Sequence, residues 1–178
     1  VTNAWGHEVI SATEASDLMF TAVRLGKTDF NQMSKEIYKV GPIAAAVGID
    51  FGSVTAALAN LTAMGTPTAV AATQLKAAFA ELAKEGTKAD TAFRDFTGVG
   101  MTEFLAQGGT FEEALIKLKE GADDAGISIV DVFGSIEAGA GILALTADGG
   151  AAFSESLAEM SASAGATQAA FETMDQGL

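Results

Sequence analysis

Lys39-Val40-Gly41-Pro42-Ile43-Ala44-Ala45-Ala46-Val47-Gly48-Ile49-Asp50-Phe51 decides the fold, because it reads as a helix interrupted at Gly-Pro and restarted behind an Asp. Proline at 42 removes a backbone donor and its ring crowds the preceding turn. A helix arriving from the N-terminal side therefore ends around Gly41-Pro42, or bends there and continues through Ile43 to Val47; a bend is expected. Asp50 is placed to cap the next helix with its carboxylate. From Val40 to Leu75, Asp50 is the only charged residue. A helix without a charged face has to bury most of its circumference. The middle third must be covered, either by the rest of the same domain or by neighbouring copies in an assembly.

Helix signals recur on both sides of this stretch. Ser11 with Glu14 forms a candidate capping box for a helix running to about Leu25, where Gly26 stops it. Asp29 with Gln32 opens the next, which carries Phe30, Met33, Ile37 and Val40 at spacings of three or four. Asp50 opens a third helix with Val54, Leu58 and Leu61 in one stripe, ended at Gly65. Thr66 then reads as an N-cap with Pro67 at the first helical position. The helix that follows runs to about Glu85, with Ala72, Leu75, Phe79 and Leu82 inward and Lys76, Glu81 and Lys84 outward.

Beyond it come a short helix near Ala89 to Phe96, a glycine-punctuated linker at Gly98-Val99-Gly100, a turn from Thr102 to Ala106, and a break at Gly108-Gly109. Thr110 with Glu113 makes a second capping box, ahead of Phe111, Leu115, Leu118 and Ala122 on one face. Glu113 and Lys117 are spaced for a favourable ion pair. Ser128 is read as the cap of the most apolar helix, with Ile129, Phe133, Ile136 and Leu143 on one side, ending before Asp148-Gly149-Gly150. A last pair, about Ala151 to Ser161 and Ala166 to Met174, closes the chain. The expected class is all-α: an irregular multi-helix bundle of seven or eight short to medium helices, without a sheet. Residues 1–178 read as a single helical segment, with a weak subdivision near 98–109. One continuous helix of this length would span roughly 270 Å. Breaks every twenty residues or so argue instead for a bundle with a radius of gyration of about 16 Å.

Composition bounds the function. The 178 residues are 49% hydrophobic, enough for a real core, with twenty Gly, two Pro, one Trp and no Cys. No disulfide framework is available, which suits a reducing cytosol and tolerates an oxidising destination. Val1 stands first and no basic segment precedes an apolar run, so the chain reads as an excerpt of a longer protein without a secretory signal. The formal net charge is −13, and no Lys or Arg occurs after Lys119. Such a surface repels phosphate backbones and anionic headgroups, whose capture depends on Lys and Arg, so specific DNA binding is not expected.

Catalytic chemistry has little to work with. The sole histidine, His7, lies in an N-terminal stretch beside Trp5 and reads as a surface or terminal residue; one His and no Cys exclude most triads and zinc sites. The couplets Glu112-Glu113 and Asp123-Asp124 point about 100° apart on a helix, so they read as solvated faces. Gly139-Ala140-Gly141 looks like a fragment of a phosphate-cradling loop, but it follows a helical run and has no lysine nearby; close helix packing is the better reading. Ile127 to Ala147 approaches the length of a membrane span, yet Asp131 and Glu137 interrupt it. No catalytic, metal or cofactor-binding residue is expected, and no cofactor. Gly41, Pro42, Gly65, Pro67, Phe133, Ile136 and Leu143 are the candidate structural and interaction residues.

The run from Lys39 to Leu82, KVGPIAAAVGIDFGSVTAALANLTAMGTPTAVAATQLKAAFAEL, preceded by TAVRLGKTDFNQMSKEI and followed downstream by Val132-Phe133-Gly134-Ser135-Ile136-Glu137-Ala138, resembles the core domain of phage tail tape measure proteins. The likeness covers Asn3 to Met174 and is densest between Leu25 and Leu82; it rests on order and spacing, not on any single residue. It implies a structural, non-enzymatic part of a tape measure protein, involved in tail tube assembly, length determination and genome ejection. It also implies other copies of the chain as partners, three or six in a tail, together with tail tube and tail tip proteins and tail assembly chaperones. Membrane contact at ejection follows from the same likeness. The implied location is the virion tail, with the host cytoplasm during assembly. A different class of reading is an envelope- or membrane-acting helical effector, with the apolar helices at 40 to 75 and 127 to 147 entering a bilayer.

Overall fold

The computed structural model describes residues 2–6 and 9–176, and among these its regular structure is entirely helical. In chain order the helices are α1 (Thr2–Trp5), α2 (Ala12–Leu25), α3 (Phe30–Val47), α4 (Phe51–Ala63), α5 (Thr68–Ala83), α6 (Lys88–Thr97), α7 (Met101–Ala106), α8 (Phe111–Asp124), α9 (Ile136–Leu145), α10 (Ala151–Ser161) and α11 (Ala166–Gln176). A single 3₁₀ turn, Ile129–Val132, precedes α9, and the link Ala147–Gly150 follows it with left-handed backbone at Asp148 (φ 50°) and Gly149 (φ 70°). The all-α class stands, but the described residues hold eleven α-helices instead of seven or eight. Two of the additional helices are short pieces, the four residues of α1 and the six of α7, too brief to show a hydrophobic period.

The uncharged middle third is covered by its own chain. Eleven of the thirteen residues of α4 are buried, with α2, α3, α5, α9 and α10 packed around it. α4 is therefore the axis of the bundle, and burial on nearly every side explains why it needs no charged face. Its Thr55 and Thr62 hydroxyls donate back to the Phe51 and Leu58 carbonyls, at 3.0 and 2.8 Å, so these buried polar groups do not go unpaired.

At Gly-Pro the chain takes the second of the two expected courses, continuing instead of ending. α3 does not end at Gly41-Pro42 but runs through Pro42 to Val47 as one helix. Pro42 is on the exposed side, one turn from exposed Tyr38, where water can meet the Tyr38 carbonyl that the proline leaves without a partner. The interruption falls instead at Gly48, which takes a left-handed conformation (φ 96°) and returns its N–H to the Ala44 and Ala45 carbonyls. Asp50 then restarts the chain as expected, accepting the Ser53 N–H at 2.8 Å and the Ser53 hydroxyl at 2.6 Å.

Most other punctuation holds. Both capping boxes form, Ser11 with Glu14 and Thr110 with Glu113, and Asp29 caps α3 through the Gln32 N–H. The inward stripes of α5 and α8 are buried throughout. Pro67 sits one position earlier than expected, at the N-cap of α5, and no side chain caps that helix. Glu113 is engaged in its capping box, so the expected pair with Lys117 is not made; the ion pair on α8 joins Lys119 and Asp123.

The larger miss is the apolar run after Ser128. Ser128 caps only a 3₁₀ turn, the backbone extends at Phe133, and α9 begins afresh behind Ser135. That break rotates the second half relative to the first. Ile129 and Phe133 are buried, whereas Ile136 and Leu143 are 81% and 47% exposed. The buried face of α9 is Ala138, Gly139, Gly141, Ile142 and Leu145. A Cβ on Gly139 would lie 2.8 Å from Val130 Cγ1, and one on Gly141 2.9 Å from Gln74 Cβ. The Gly-Ala-Gly sequence is thus a close-packing device against the 3₁₀ turn and α5.

Candidate assembly surfaces

The candidate residues fall in three places. Gly41 and Pro42 line a 480 Å³ groove between α1, α2 and α3, with Trp5, Ile37 and Tyr38 among its walls. Gly65 (φ 99°) and Pro67 form the exposed α4–α5 turn. Phe133 is in the core, while Ile136 and Leu143 face outward from α9. Gly41 makes room for an aromatic ring, since a Cβ there would meet Trp5 at 3.0 Å. The Trp5 indole packs edge-on to Phe51, with centroids 5.1 Å apart, and its Nε1–H donates to the Ile49 carbonyl at 2.8 Å. α1 is thereby pinned across the α3–α4 junction. The only signal for this in the sequence is the rarity of tryptophan.

Two carboxylates join distant parts of the chain. Glu81, expected to point outward from α5, is half-buried and accepts the Gly134 N–H at 2.6 Å and the Ser135 N–H at 3.0 Å, along with the Ser135 hydroxyl. It stitches α5 to the N-terminus of α9, where a negative charge is favoured by the helix dipole. Asp17, buried on α2, accepts the Gly165 N–H at 2.7 Å and the Thr167 N–H at 2.9 Å. It holds the first turn of α11, a helix whose Phe171 and Met174 are 68% and 73% exposed.

The Thr167 N–H first, and then that of Gly165, hold the Asp17 carboxyl below the usual aspartate range. Ser11 does the same for Glu14, and the Gln32 N–H for Asp29. A carboxylate with a depressed folded pKa adds stability that is complete above its unfolded value, near 4, and is lost as pH falls through the folded value. The Gly165 and Thr167 amide resonances should therefore hold steady from neutral pH to about pH 5 and shift together below about pH 4. In Asp17→Asn that acid transition should vanish; its persistence would place the latch elsewhere.

His7 lies outside the described residues. Among the described residues no three His, Asp or Glu side chains are grouped to hold a metal ion, and no helix is long and apolar enough to cross a membrane. The carboxylate couplets on α8 are engaged one at a time: Glu112 takes the Ser154 hydroxyl, Glu113 caps its helix and Asp123 pairs with Lys119. Only Glu112 departs from a solvated reading, being half-buried against α10.

What the fold and its surfaces define is a helical packing unit of net negative charge, in which Asp17 and Glu81 join distant helices. The chain belongs to the phage-related minor tail proteins, whose family model matches residues 1–134. It is also similar, at 33% identity over 184 aligned positions covering all of it, to the probable tape measure protein of Clostridium phage phiCD119. The chain spans 20% of that relative's length. No solved structure matches. Membership makes the chain a structural tail component and implies a place in the virion tail.

Proposed function

We propose that the chain is one compact, non-enzymatic segment of a tape measure protein that takes part in tail tube assembly, length determination and genome ejection. The observation that carries this reading is the burial of α4 by the rest of the chain, which makes a self-sufficient bundle. Among the described residues the longest helix, α3, has 18 residues, about 27 Å, so the length-setting ruler belongs elsewhere in the parent chain. We place this segment at a tail end, in three or six copies, with tail tube and tail tip proteins as neighbours and tail assembly chaperones holding the parent chain soluble beforehand in the host cytoplasm. Residues 1–178 act as one unit, the glycine-rich stretch at 98–109 being at most a soft seam.

In-frame deletion of residues 1–178 from the parent chain tests the division of labour, with tail length read by electron microscopy. Tails of unchanged length, or a failure to form tails, are expected. Tails shorter by about 270 Å, the length of 178 residues as continuous helix, would make the segment part of the ruler. Cryo-electron density showing the bundle compact in mid-tube would refute the placement at an end.

A further inference from the structure

We propose that the groove between α8 and α10 binds a basic protein segment, taking a lysine or arginine side chain with its hydrocarbon stem on the groove floor and its cation among the acids of α8. The groove has a volume of 270 Å³ and takes in the α9–α10 junction at Thr146, Gly149 and Gly150. Leu115, Ile116, Leu145 and Phe153 supply an apolar lining. Along α8, residues 112, 116, 119, 120 and 123 recur at helical spacing, so one rim carries Glu112, Glu120 and Asp123 against a single base, Lys119. Three acids less one base leave the rim at −2.

The charges are not equally free. Glu112 accepts the Ser154 hydroxyl and stands by the N-terminus of α10, whose dipole it matches. Lys119 is tied to Asp123. Glu120 is exposed at the rim and makes no ion pair among the described residues. The C-terminal end of α9, at Leu145 and Thr146, adds the negative end of a helix dipole at the opposite wall. A long cationic side chain suits this combination, because its stem lies on apolar surface while its head stays at the wet rim. Charge also narrows the occupant. Nucleic acid and anionic lipid are repelled, and a second copy of a chain at −13 meets like charge. A basic segment of another protein is what remains.

The probe is a fluorescently labelled peptide of alternating leucine and arginine, titrated into the intact chain, with a leucine–glutamate peptide beside it. Binding of the basic peptide alone is expected, with methyl NMR shifts at Ile116 and Leu145. Glu120→Lys should weaken it about tenfold, the scale of a charge reversal near the surface, while the same reversal at exposed Glu103, on α7, should change it less than twofold. Ile116→Asp, at a partly exposed position that leaves folding intact by circular dichroism, should weaken it as much as Glu120→Lys. Equal loss from the Glu120 and Glu103 reversals would mean only diffuse attraction and overturn the proposal. So would unshifted Ile116 and Leu145 methyls, equal binding of the acidic peptide, or shifts at the same methyls on raising protein concentration without peptide, which would make a second copy the occupant.

Discussion

Phe79→Ala lowers the stability of the segment by about 3–5 kcal/mol and its melting midpoint by roughly 6–20 °C. Phe79 on α5 is fully buried, and its ring meets that of Phe111 edge-on with centroids 5.3 Å apart. Phe111 in turn meets Phe153 at 5.9 Å, so a row of three rings joins α5, α8 and α10. Truncation removes the transfer energy of the largest buried side chain type, leaves a cavity in a close-packed interior and ends an aromatic pair. Phe171→Ala is the comparison: that ring is exposed on α11, and its loss should stay within about 0.5 kcal/mol. Chemical denaturation of both variants decides the matter, and equal midpoints would take Phe79 out of the core.

Gly26→Ala should cost about 1–3 kcal/mol for the addition of one methyl group. Gly26 stops α2 as expected, but with an extended backbone (φ −86°, ψ 168°), so the glycine is not needed for a left-handed turn. It is needed for room. A Cβ would collide with Thr62 Oγ1 and stand 3.3 Å from Ala59 Cα, where α2 crosses the axial helix α4. Thr62 cannot swing away cheaply, because its hydroxyl donates to the Leu58 and Ala59 carbonyls at 2.8 and 3.0 Å. The same substitution made in a Thr62→Ala background should cost less than half as much. Equal costs in the two backgrounds would show that the contact is not the cause.

These two residues mark different degrees of legibility. Phe79 stands out in the sequence because its neighbours on the stripe, Leu75 and Leu82, are one turn away and the period of α5 is unbroken. Gly26 is legible only as a stop, since its reason for being glycine lies in α4. Asp17, Glu81 and Trp5 are not legible as linkers at all. Their partners stand 44 to 150 positions away along the chain, and nothing in local spacing announces such a pairing. The groove between α8 and α10 is half visible: the acids and Ile116 share one face of a helix in the sequence, but the wall facing them comes from 145–154.

The family resemblance is carried by the order of these same local features, which is why it is readable without knowing how the helices meet. Where the local signal misleads, the cause is geometric. Ile129, Phe133, Ile136 and Leu143 form a stripe only on a continuous helix, and the extended residue at Phe133 with the new cap at Ser135 divides that helix in two.

From sequence alone came the all-α class, most helix starts and stops, and the need to bury the stretch around α4, because caps, left-handed glycines and stripes act within about one turn of chain. Tertiary structure alone decided that Ile136 and Leu143 would face water while Gly139 and Gly141 went inward, and that Asp17 and Glu81 would tie distant helix ends together. Each of those outcomes depends on how closely another helix approaches, and that distance is set by the packing of the whole bundle.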